Sequence, residues 1–334
     1  MKIIFALLFI IFITSSKQLK GDTLKEENAA NWMSFLPGDK NILFINIPGA
    51  HDTSANLMVP LAESVARTQN HTIPELLRIG VRKLDIRVAP RELLDGDDPD
   101  SDLSTYHGIF ECYYIDENGI TRNLTFKHIL LDIKDFLEEN PTETVIVWTQ
   151  SEKGDSYSNL KRAVELFEKY VGDIFVKYNK NLKLGEVRGK IVSTVYKEDS
   201  TDSEGNPSYH FGIDGGTDLE EIHRKFIDNY YNTWEVTGQL KVEEVLEFFR
   251  TYDLTINNAE EDFKNDNNKY PICYSVACTG EHQSILPFPK IQADIVNTFL
   301  LGYEFKRLNY YGWIEMDYAD LIIAKKFIDT NFFE

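Results

Sequence analysis

Apolar residues recur at helical spacing in one segment of the chain and form a short unbroken run in the next. Between 125 and 140, six apolar residues fall on one face of a helix, with Thr125 placed to cap its start and Pro141 to end it. The run 144–148 follows at once and is short and β-branched, which is typical of a strand buried in a parallel sheet. The two segments predict a helix and then a buried strand, which is half of a βαβ unit.

The same alternation continues along the chain. Strands that alternate with helices favour parallel connections, and therefore an α/β barrel or a doubly wound sheet. Polar stretches at 95–102, 197–208 and 257–268 are predicted to be surface loops. The further predicted strands are 42–47, 82–88, 104–108, 190–195, 274–277 and 313–316, and the further predicted helices are 73–79, 160–170 and 241–249.

Ionisable residues stand where several predicted strands end. His51 and Asp52 follow the first strand, Asp85 and Arg87 close the second, and His107 closes the third. Because the carboxyl ends of such strands gather at one face of a barrel or open sheet, these side chains are expected to share a site. Histidine titrates near neutral pH and can relay a proton, and arginine offers a planar fork of donors to phosphate. The pattern predicts phosphoryl-transfer chemistry.

Each of these residues also has an ordinary structural interpretation. A single loop histidine is more often a surface residue than a catalyst, and Asp85 and Arg87, two apart on one strand, would also form a simple ion pair. Asp317 ends the last predicted strand and is placed to orient a catalytic histidine, but Glu315 lies on the same face and is its rival. Two histidines at two strand ends, each near a carboxylate, favour catalysis.

The charge of the chain narrows the choice of partners. The formal net charge is −19, which argues against nucleic acid because its binding requires clustered lysine and arginine. An anionic lipid would have to be bound by cations inside the site and reached through apolar side chains. Tyr231, Trp234 and the apolar run 286–289 are candidates for that contact. We expect a phospholipid substrate, peripheral contact with the membrane surface and a monomer.

The first 16 residues have the pattern of a secretory signal peptide. Lys2 precedes an apolar run over 3–13 that ends at small polar residues, and the run is too short to span a bilayer comfortably. An uncleaved membrane anchor is the alternative. With 43% hydrophobic and 13% aromatic residues, the remainder can bury one large core. We therefore expect a single domain over 25–334, secreted or resident in the lumen of the secretory pathway.

Cysteines and sequons agree with an extracellular protein. Cys273 and Cys278 are close enough in sequence to pair across a short loop, but Cys112 with either of them is equally permitted. Asn70 and Asn123 stand in glycosylation sequons. The sequence contains no cysteine and histidine cluster for zinc, no glycine-rich phosphate loop and no Gly-x-Ser-x-Gly motif. No metal and no cofactor are predicted.

The motifs, taken in order, resemble the X-domain family of phosphatidylinositol-specific phospholipases C in its compact, bacterial-like, metal-independent form. The resemblance covers nearly the whole mature chain and implies a distorted, incompletely closed (β/α)8 barrel of the TIM type. It also implies a secreted phosphorus–oxygen lyase of the phosphoric diester hydrolase class, which cleaves phosphatidylinositol or glycosylphosphatidylinositol-type linkages to diacylglycerol and a cyclic inositol phosphate. The matching stretches are 32–34, 46–53, 80–87, 107–108, 136–145, 184–191 and 316–318.

The resemblance also implies an acid–base pair. His51 would be the general base that takes the proton of the inositol 2-hydroxyl, with Asp317 as its orienting partner. His107 would be the general acid that protonates the departing diacylglycerol, assisted by Asp52. Positioned acid and base groups typically contribute about 10²–10⁴-fold each to the rate.

The same resemblance implies how the phosphate charge is stabilised. Arg87 would bind the phosphate oxygens, and Asp85 would hold it in place. Arginine at this position marks the metal-independent relatives, whereas the calcium-using eukaryotic enzymes carry acidic ligands in this region.

The headgroup pocket departs from the family pattern. Gln150 stands where relatives carry a lysine, and the arginine that relatives carry near 195 or 196 is missing, so Lys197 is the candidate substitute. Asp228 and Tyr230 match the aspartate and tyrosine that contact inositol. These four residues are the predicted substrate-binding set. Two alternatives therefore stay open: the same chemistry on a different phosphodiester headgroup, and a catalytically silent, lipid-binding relative.

Overall fold

The structure is a computed structural model that describes residues 26–201, 205, 207–211, 238–251, 253–265, 273–277 and 288–332. Several sequence predictions therefore lie outside the described residues: the signal peptide over 1–16, Asp228, Tyr230, Tyr231, Trp234, Cys278 and residues 286–287 of the proposed contact run.

Strands and helices alternate along most of the described chain. The strands are β1 (Ile47–Ala50), β2 (Lys83–Pro90), β3 (Leu103–His107), β4 (Phe110–Glu111), β5 (Tyr113–Ile115), β6 (Thr121–Asn123), β7 (Thr144–Ser151), β8 (Phe175–Lys177), β9 (Lys190–Ser193), β10 (Val195–Thr201), β11 (Pro207–Phe211), β12 (Cys273–Ala277) and β13 (Trp313–Met316). The α-helices are α1 (Glu63–Ala66), α2 (Ile73–Arg78), α3 (Phe126–Glu139), α4 (Ser156–Val171), α5 (Leu184–Val187), α6 (Gly238–Thr251), α7 (Ile256–Asn265), α8 (Pro289–Gly302) and α9 (Leu321–Asp329). The 3₁₀ segments are Glu26–Phe35, Ile42–Phe44 and Pro99–Ser101.

The parallel strands form one sheet in the spatial order β8, β9, β7, β2, β1, β13, β12. Within the described residues β8 and β12 do not pair with each other, so the sheet curves without closing. Strand β3 adds to β2 in the antiparallel sense, and β4 pairs with β3. The expected distorted, incompletely closed β/α barrel is confirmed.

Helices α3 and α4 cover one side of the sheet, as their periodicity requires. In α3 the apolar positions Phe126, Ile129, Leu130 and Ile133 are buried, and the Thr125 side chain accepts a hydrogen bond from the backbone amide of residue 128. Burying each such side chain contributes roughly 1.5–3 kcal/mol relative to exposure. The predicted helix over 125–140 and the strand that follows it are confirmed.

A buried ion pair lies inside the barrel beneath the strand ends. The Lys83 ammonium contacts the Glu315 carboxylate, and it lies 4.5 Å above the Trp148 ring centroid. Strand β1 passes between the two partners at Gly49, where an added Cβ would stand 3.0 Å from the Ile314 carbonyl oxygen and 3.2 Å from side-chain atoms of Glu315 and Lys83. Glycine is required there because three strands approach closely.

The first predicted strand, 42–47, begins later than expected. Residues Ile42–Phe44 form a 3₁₀ turn instead, because the Asn41 side chain accepts a hydrogen bond from the Leu43 amide at 2.9 Å and the Asn41 carbonyl accepts from Phe44 at 3.0 Å. The strand starts at Ile47, where pairing with β13 becomes available.

The polar stretch 257–268 is expected to be a loop, and over 257–265, the part that the structure describes, this prediction is wrong. Residues Ile256–Asn265 form α7, and Ile256, Ala259 and Phe263 are its buried face. Three apolar residues at helical spacing are enough to form a helix in an otherwise polar segment when they pack against the hydrophobic core. Phe263 packs edge-on against Phe44 with ring centroids 5.4 Å apart.

The expected loop at 197–208 is also wrong, since much of it belongs to the antiparallel hairpin of β10 and β11. Tyr196 lies opposite His210, and their rings stack with centroids 4.6 Å apart. This cross-strand pair stabilises a hairpin whose outer residues are charged.

Cys112 is a buried free thiol, so the two disulfide alternatives that involve it are wrong. Within the described residues, no helix combines the length and the apolar character that crossing a membrane requires.

Candidate active site

Strand register brings the predicted residues to one edge of the sheet. Ala50, the last residue of β1, lies opposite Leu84 of β2 and Met316 of β13. The carboxyl ends of parallel strands point the same way, so the residues that follow these three are neighbours in space. Each of those following residues is ionisable: His51, Asp85 and Asp317.

His51 is held between an aspartate and an arginine. Its Nδ1 lies 2.7 Å from Asp317 Oδ1, and its Nε2 lies 2.7 Å from Arg87 Nη2. A guanidinium only donates hydrogen bonds, so Nε2 is the acceptor and the proton resides on Nδ1, which donates to Asp317. His51 is therefore in the tautomer that presents a basic Nε2 lone pair toward Arg87.

The rival of Asp317 has a different role. Glu315, on the same strand, pairs with Lys83 in the layer below. Asp317 is itself fixed through its backbone, because the Asn297 side chain on α8 donates to its carbonyl oxygen at 3.0 Å.

The loop after β1 is pinned by two polar residues that sequence reasoning missed. Gln69 Nε2 donates to the carbonyls of His51 and Met316, at 2.8 and 2.9 Å, and Thr68 Oγ1 donates to the Asp52 carbonyl at 2.9 Å. These bonds hold Asp52 at φ +39°, a backbone conformation that L-residues seldom adopt. The only sequence signal would have been two polar residues in a loop, which is not specific.

The buried carboxylate of Asp52 is stabilised only weakly by the described residues around it. Neither of its side-chain oxygens has a hydrogen-bond partner in the described part of the chain. Oδ2 lies 3.4 Å from His107 Nδ1 and 3.8 Å from Arg87 Nε. Burial raises the pKa of Asp52 to about 6, against the attraction of the His107 and Arg87 charges. Asp52 therefore links the two halves of the cluster electrostatically.

Asp85, unlike Asp52, accepts hydrogen bonds on both carboxylate oxygens. Its carboxylate accepts hydrogen bonds from the Asp52 backbone amide at 3.1 Å and from Gln150 Nε2 at 2.8 Å, and Arg87 Nε lies 3.4 Å away. Burial opposes its ionisation, but Arg87 and the other nearby cations outweigh burial, so the pKa of Asp85 lies below its ordinary value. Asp85 is a fixed anion behind Arg87.

His107 closes β3 on the other side of Asp52. Its Nδ1 lies 2.5 Å from the Ala66 carbonyl oxygen, and a carbonyl only accepts, so Nδ1 carries a proton. Gly108, at φ +59°, turns the chain into β4 directly behind it. Because Nδ1 is bound to the backbone, a proton that His107 exchanged with a substrate would pass through Nε2.

The six predicted catalytic residues thus form one connected cluster. The contacts run from Asp317 through His51, Arg87 and Asp52 to His107, with Asp85 behind Arg87. Two of the predicted substrate-binding residues are described, and they differ. Gln150 joins the cluster through Asp85, whereas Lys197 is exposed on the β10–β11 hairpin and is not among the contacts of the cluster. Asp228 and Tyr230 lie outside the described residues.

In the described ranges, no group of three or more histidine, cysteine, aspartate or glutamate side chains is arranged to bind a metal ion. The positive charge inside the described cluster comes from Arg87 and, when they are protonated, from the two histidines.

Fold and site together define an open parallel β/α barrel that carries a histidine–aspartate–arginine cluster at its strand ends. Comparison with known proteins then gives the relatives. The chain is 30% identical over 169 residues to 1-phosphatidylinositol phosphodiesterase of Listeria monocytogenes, a match that covers 48% of this chain and 47% of that protein. It is 26% identical over 329 residues to the protein of the same name from Staphylococcus aureus, which covers 90% of this chain and 94% of that protein. No protein-family model matches the chain.

Solved structures agree on the fold. The phosphatidylinositol-specific phospholipase C of L. monocytogenes superposes with a TM-score of 0.61 at 21% identity, over 91% of this chain and 99% of that chain. A mutant of the S. aureus enzyme superposes with a TM-score of 0.61 at 23% identity, over 93% and 100%. The predicted resemblance is confirmed: the curated and structural neighbours of this chain are bacterial phosphatidylinositol-specific phospholipases C.

Proposed function

We propose that this chain is a phosphodiesterase of the phosphorus–oxygen lyase type that cleaves phosphatidylinositol or glycosylphosphatidylinositol-type linkages. The names of the curated relatives support this activity, and the S. aureus relative aligns over nine-tenths of both chains. The observation that carries the proposal is the hydrogen-bonded sequence from Asp317 through His51 to Arg87, because it sets a base beside a phosphate-binding group.

His51 is the proposed general base. Asp317 fixes its tautomer, and Nε2 accepts the proton of the inositol 2-hydroxyl while the hydroxyl oxygen attacks phosphorus. In the described state that lone pair accepts a hydrogen bond from Arg87. A phosphate oxygen is a charged and therefore stronger acceptor, so substrate binding would draw the Arg87 donor to the phosphate and release the lone pair.

His107 is the proposed general acid. As the bond from phosphorus to the diacylglycerol oxygen breaks, His107 gives that oxygen a proton, and diacylglycerol leaves. The new bond from the 2-oxygen to phosphorus makes the product a cyclic inositol phosphate, and one proton has moved from the hydroxyl to His51 and another from His107 to the leaving group. Asp52, 3.4 Å away, favours the protonated form of His107 before the transfer.

Arg87 is the proposed stabiliser of charge on the phosphate oxygens. Its guanidinium is oriented by Asp85 behind it and lies beside His51, so it can contact a phosphate that the base is attacking. We propose that no metal takes part, and that turnover therefore persists in a chelator.

The described headgroup residues supply no positive charge to the cluster. Gln150 gives its amide to Asp85, and Lys197 stands on a separate hairpin, so neither supplies a cation to the described cluster. This observation favours, as a second candidate, the same acid–base chemistry on a different phosphodiester headgroup. Vesicles that each contain one phospholipid distinguish the two candidates by the diacylglycerol released. Preference for phosphatidylinositol supports the first, and preference for any other lipid supports the second.

Exposed apolar side chains near the site suggest how the protein meets a membrane. Leu61 is 80% exposed in the loop after β1, and Ile109, two residues after His107, is 79% exposed. Phe288 and Ile291, at the start of α8, are also exposed, and α8 packs on α1 close to Leu61. We propose that these side chains make a peripheral contact with a lipid surface, outside the cell or in the secretory lumen, and that 25–334 acts as a single catalytic domain and a monomer.

A further inference from the structure

Glu152 connects two parts of the site that come from different strands. Its Oε1 accepts a hydrogen bond from the Gly108 backbone amide at 2.6 Å, and its Oε2 lies 3.6 Å from Arg87 Nη1. The side chain is only 14% exposed. One carboxylate thus bridges the turn beside His107 and the guanidinium that binds phosphate.

The sheet explains why Glu152 reaches both. Strand β7 runs parallel to β2 with Gln150 opposite Arg87, and the pairing continues through a hydrogen bond from the Glu152 amide to the Val88 carbonyl at 2.9 Å. Residues two apart on a strand share a face, so Gln150 and Glu152 point to the same side. Gln150 donates a hydrogen bond to Asp85 there, and the Glu152 carboxylate lies beside Nη1 of Arg87.

The turn after His107 is short and needs an outside contact. His107 pairs with Phe110, so Gly108 and Ile109 form the entire turn, and Gly108 has a φ of +59°. The Gly108 amide gives its hydrogen bond to Glu152, on a strand that belongs to the main sheet. Any shift of this turn also shifts the backbone of His107, because the two residues are adjacent.

We propose that Glu152 is a positioning residue that holds the proposed general acid at a fixed distance from the phosphate-binding arginine. This inference rests on the proposed function, because it assigns Glu152 to the same reaction. Glu152 acts through the Gly108 amide on one side and through the Arg87 guanidinium on the other, and it does not itself exchange a proton with the substrate.

The test compares two substrates that differ in their need for an acid. Diacylglycerol leaves as a poor, strongly basic alkoxide and requires protonation, whereas the p-nitrophenyl ester of inositol phosphate releases a stable phenolate without it. A displaced acid therefore slows the lipid much more than the aryl substrate. Loss of charge stabilisation at Arg87, or a general loss of folded protein, slows both substrates alike.

Three variants separate the contributions. Glu152→Gln keeps an oxygen that accepts from Gly108 and removes the charge beside Arg87, and Glu152→Ala removes both. Glu168→Gln, on the exposed face of α4, is the control for loss of one surface carboxylate. Thermal unfolding of each variant is measured in parallel, and if Glu152→Ala does not fold, Glu152→Leu replaces it, because leucine also removes the acceptor and the charge but keeps more of the side-chain volume.

We expect Glu152→Ala to lose about 10²-fold in kcat on the lipid, which is the scale of a misplacement near 1 Å, and much less on the aryl substrate. Glu152→Gln should recover most of the lipid rate. Equal losses on both substrates, or no loss on either, would overturn the proposal. Wild-type protein that cleaves neither substrate would instead contradict the proposed function itself, and with it the role of Glu152.

Discussion

At the scale of single residues, the site contrasts two neighbouring aspartates. Asp85 has hydrogen-bond donors on both oxygens and an arginine beside it, whereas Asp52 is equally buried without a hydrogen bond to its carboxylate from the described residues. A buried carboxylate without such donors is costly to ionise. The fold therefore accepts a destabilising charge at Asp52, where the proposed acid His107 needs an anion.

The first prediction concerns the pH dependence that this charge creates. The pKa of Asp52 is about 6 in the folded protein, against an ordinary 3.8. Between these two pH values the Asp52 carboxyl is still protonated in the folded state but already ionised in the unfolded state. Stability is therefore lost as the pH rises from about 4 to above 6. Asp52→Asn should be more stable than the wild type by about 1–3 kcal/mol at pH 8, with little difference at pH 3.

Urea unfolding of both proteins at the two pH values measures this difference. A variant that is less stable than the wild type at pH 8 would contradict the assigned cost of ionising Asp52. The same variant should cleave phosphatidylinositol more slowly, because His107 loses its anionic neighbour.

The second prediction concerns Asp317. Asp317→Asn keeps the size of the side chain but no longer favours the proton on His51 Nδ1, so the basic lone pair at Nε2 is lost in part of the molecules. The kcat for phosphatidylinositol should fall by about 10²–10⁴-fold, the range for a positioned base. Asp294→Asn, exposed on α8, is the matched control. A loss below about threefold would show that His51 does not depend on Asp317.

At the scale of helices and strands, the barrel is held by close approach of parallel strands. Strand β1 lies between β2 and β13, above the Lys83–Glu315 ion pair. His51, Asp85 and Asp317 directly follow the aligned residues Ala50, Leu84 and Met316 of these strands, so the packing at Gly49 sets the spacing of the site two residues further along.

The third prediction tests that packing. Gly49→Ala places a methyl group 3.0 Å from a backbone oxygen of β13, which cannot move without the strand, and should destabilise the protein by about 1–3 kcal/mol. Gly302→Ala is the control, because an added Cβ there meets no atom within 4 Å. Chemical unfolding gives both values. Equal stability of the two variants would contradict the close packing of β1 at Gly49.

The sequence predicted those elements whose pattern is local and strong. The α3 pattern, with its cap at Thr125, and the ionisable residues that end three strands could be recognised without knowledge of their neighbours. Helix α7 could not, since only Ile256, Ala259 and Phe263 mark it and their burial depends on a distant core. Glu152 was missed because its role depends on Gly108, which is remote in sequence and arrives beside it only through the fold.

At the scale of the whole molecule, the question is how a protein of net charge −19 works at a lipid surface that contains anionic lipid. Long-range repulsion opposes approach, so contact must come from apolar side chains, and phosphate must meet a cation inside the site. The apolar contact would come from Leu61 and Ile109, which are exposed beside the site. The cation for the phosphate would be Arg87, which lies within the site.

The fourth prediction separates membrane contact from chemistry. Replacing Leu61 and Ile109 together by serine removes two apolar side chains from the proposed contact, each of which contributes about 1.5–3 kcal/mol when fully buried, so vesicle binding should weaken by tenfold or more. Cleavage of the soluble aryl substrate should change little. Leu301→Ser, at the far end of α8 from Phe288, is the control, and a sedimentation assay gives the partition. Unchanged vesicle binding would place the contact elsewhere.

The proposed lyase works without a metal ion and uses His51 as its base. Phosphorus NMR of the purified protein with phosphatidylinositol vesicles in EDTA tests it most directly, with His51→Ala as the paired variant. We predict a cyclic inositol phosphate signal from the wild type and none from the variant, with both proteins folded by circular dichroism. Turnover that EDTA abolishes and calcium restores would contradict the metal-independent mechanism, and an equal signal from His51→Ala would contradict the role of His51 as the base.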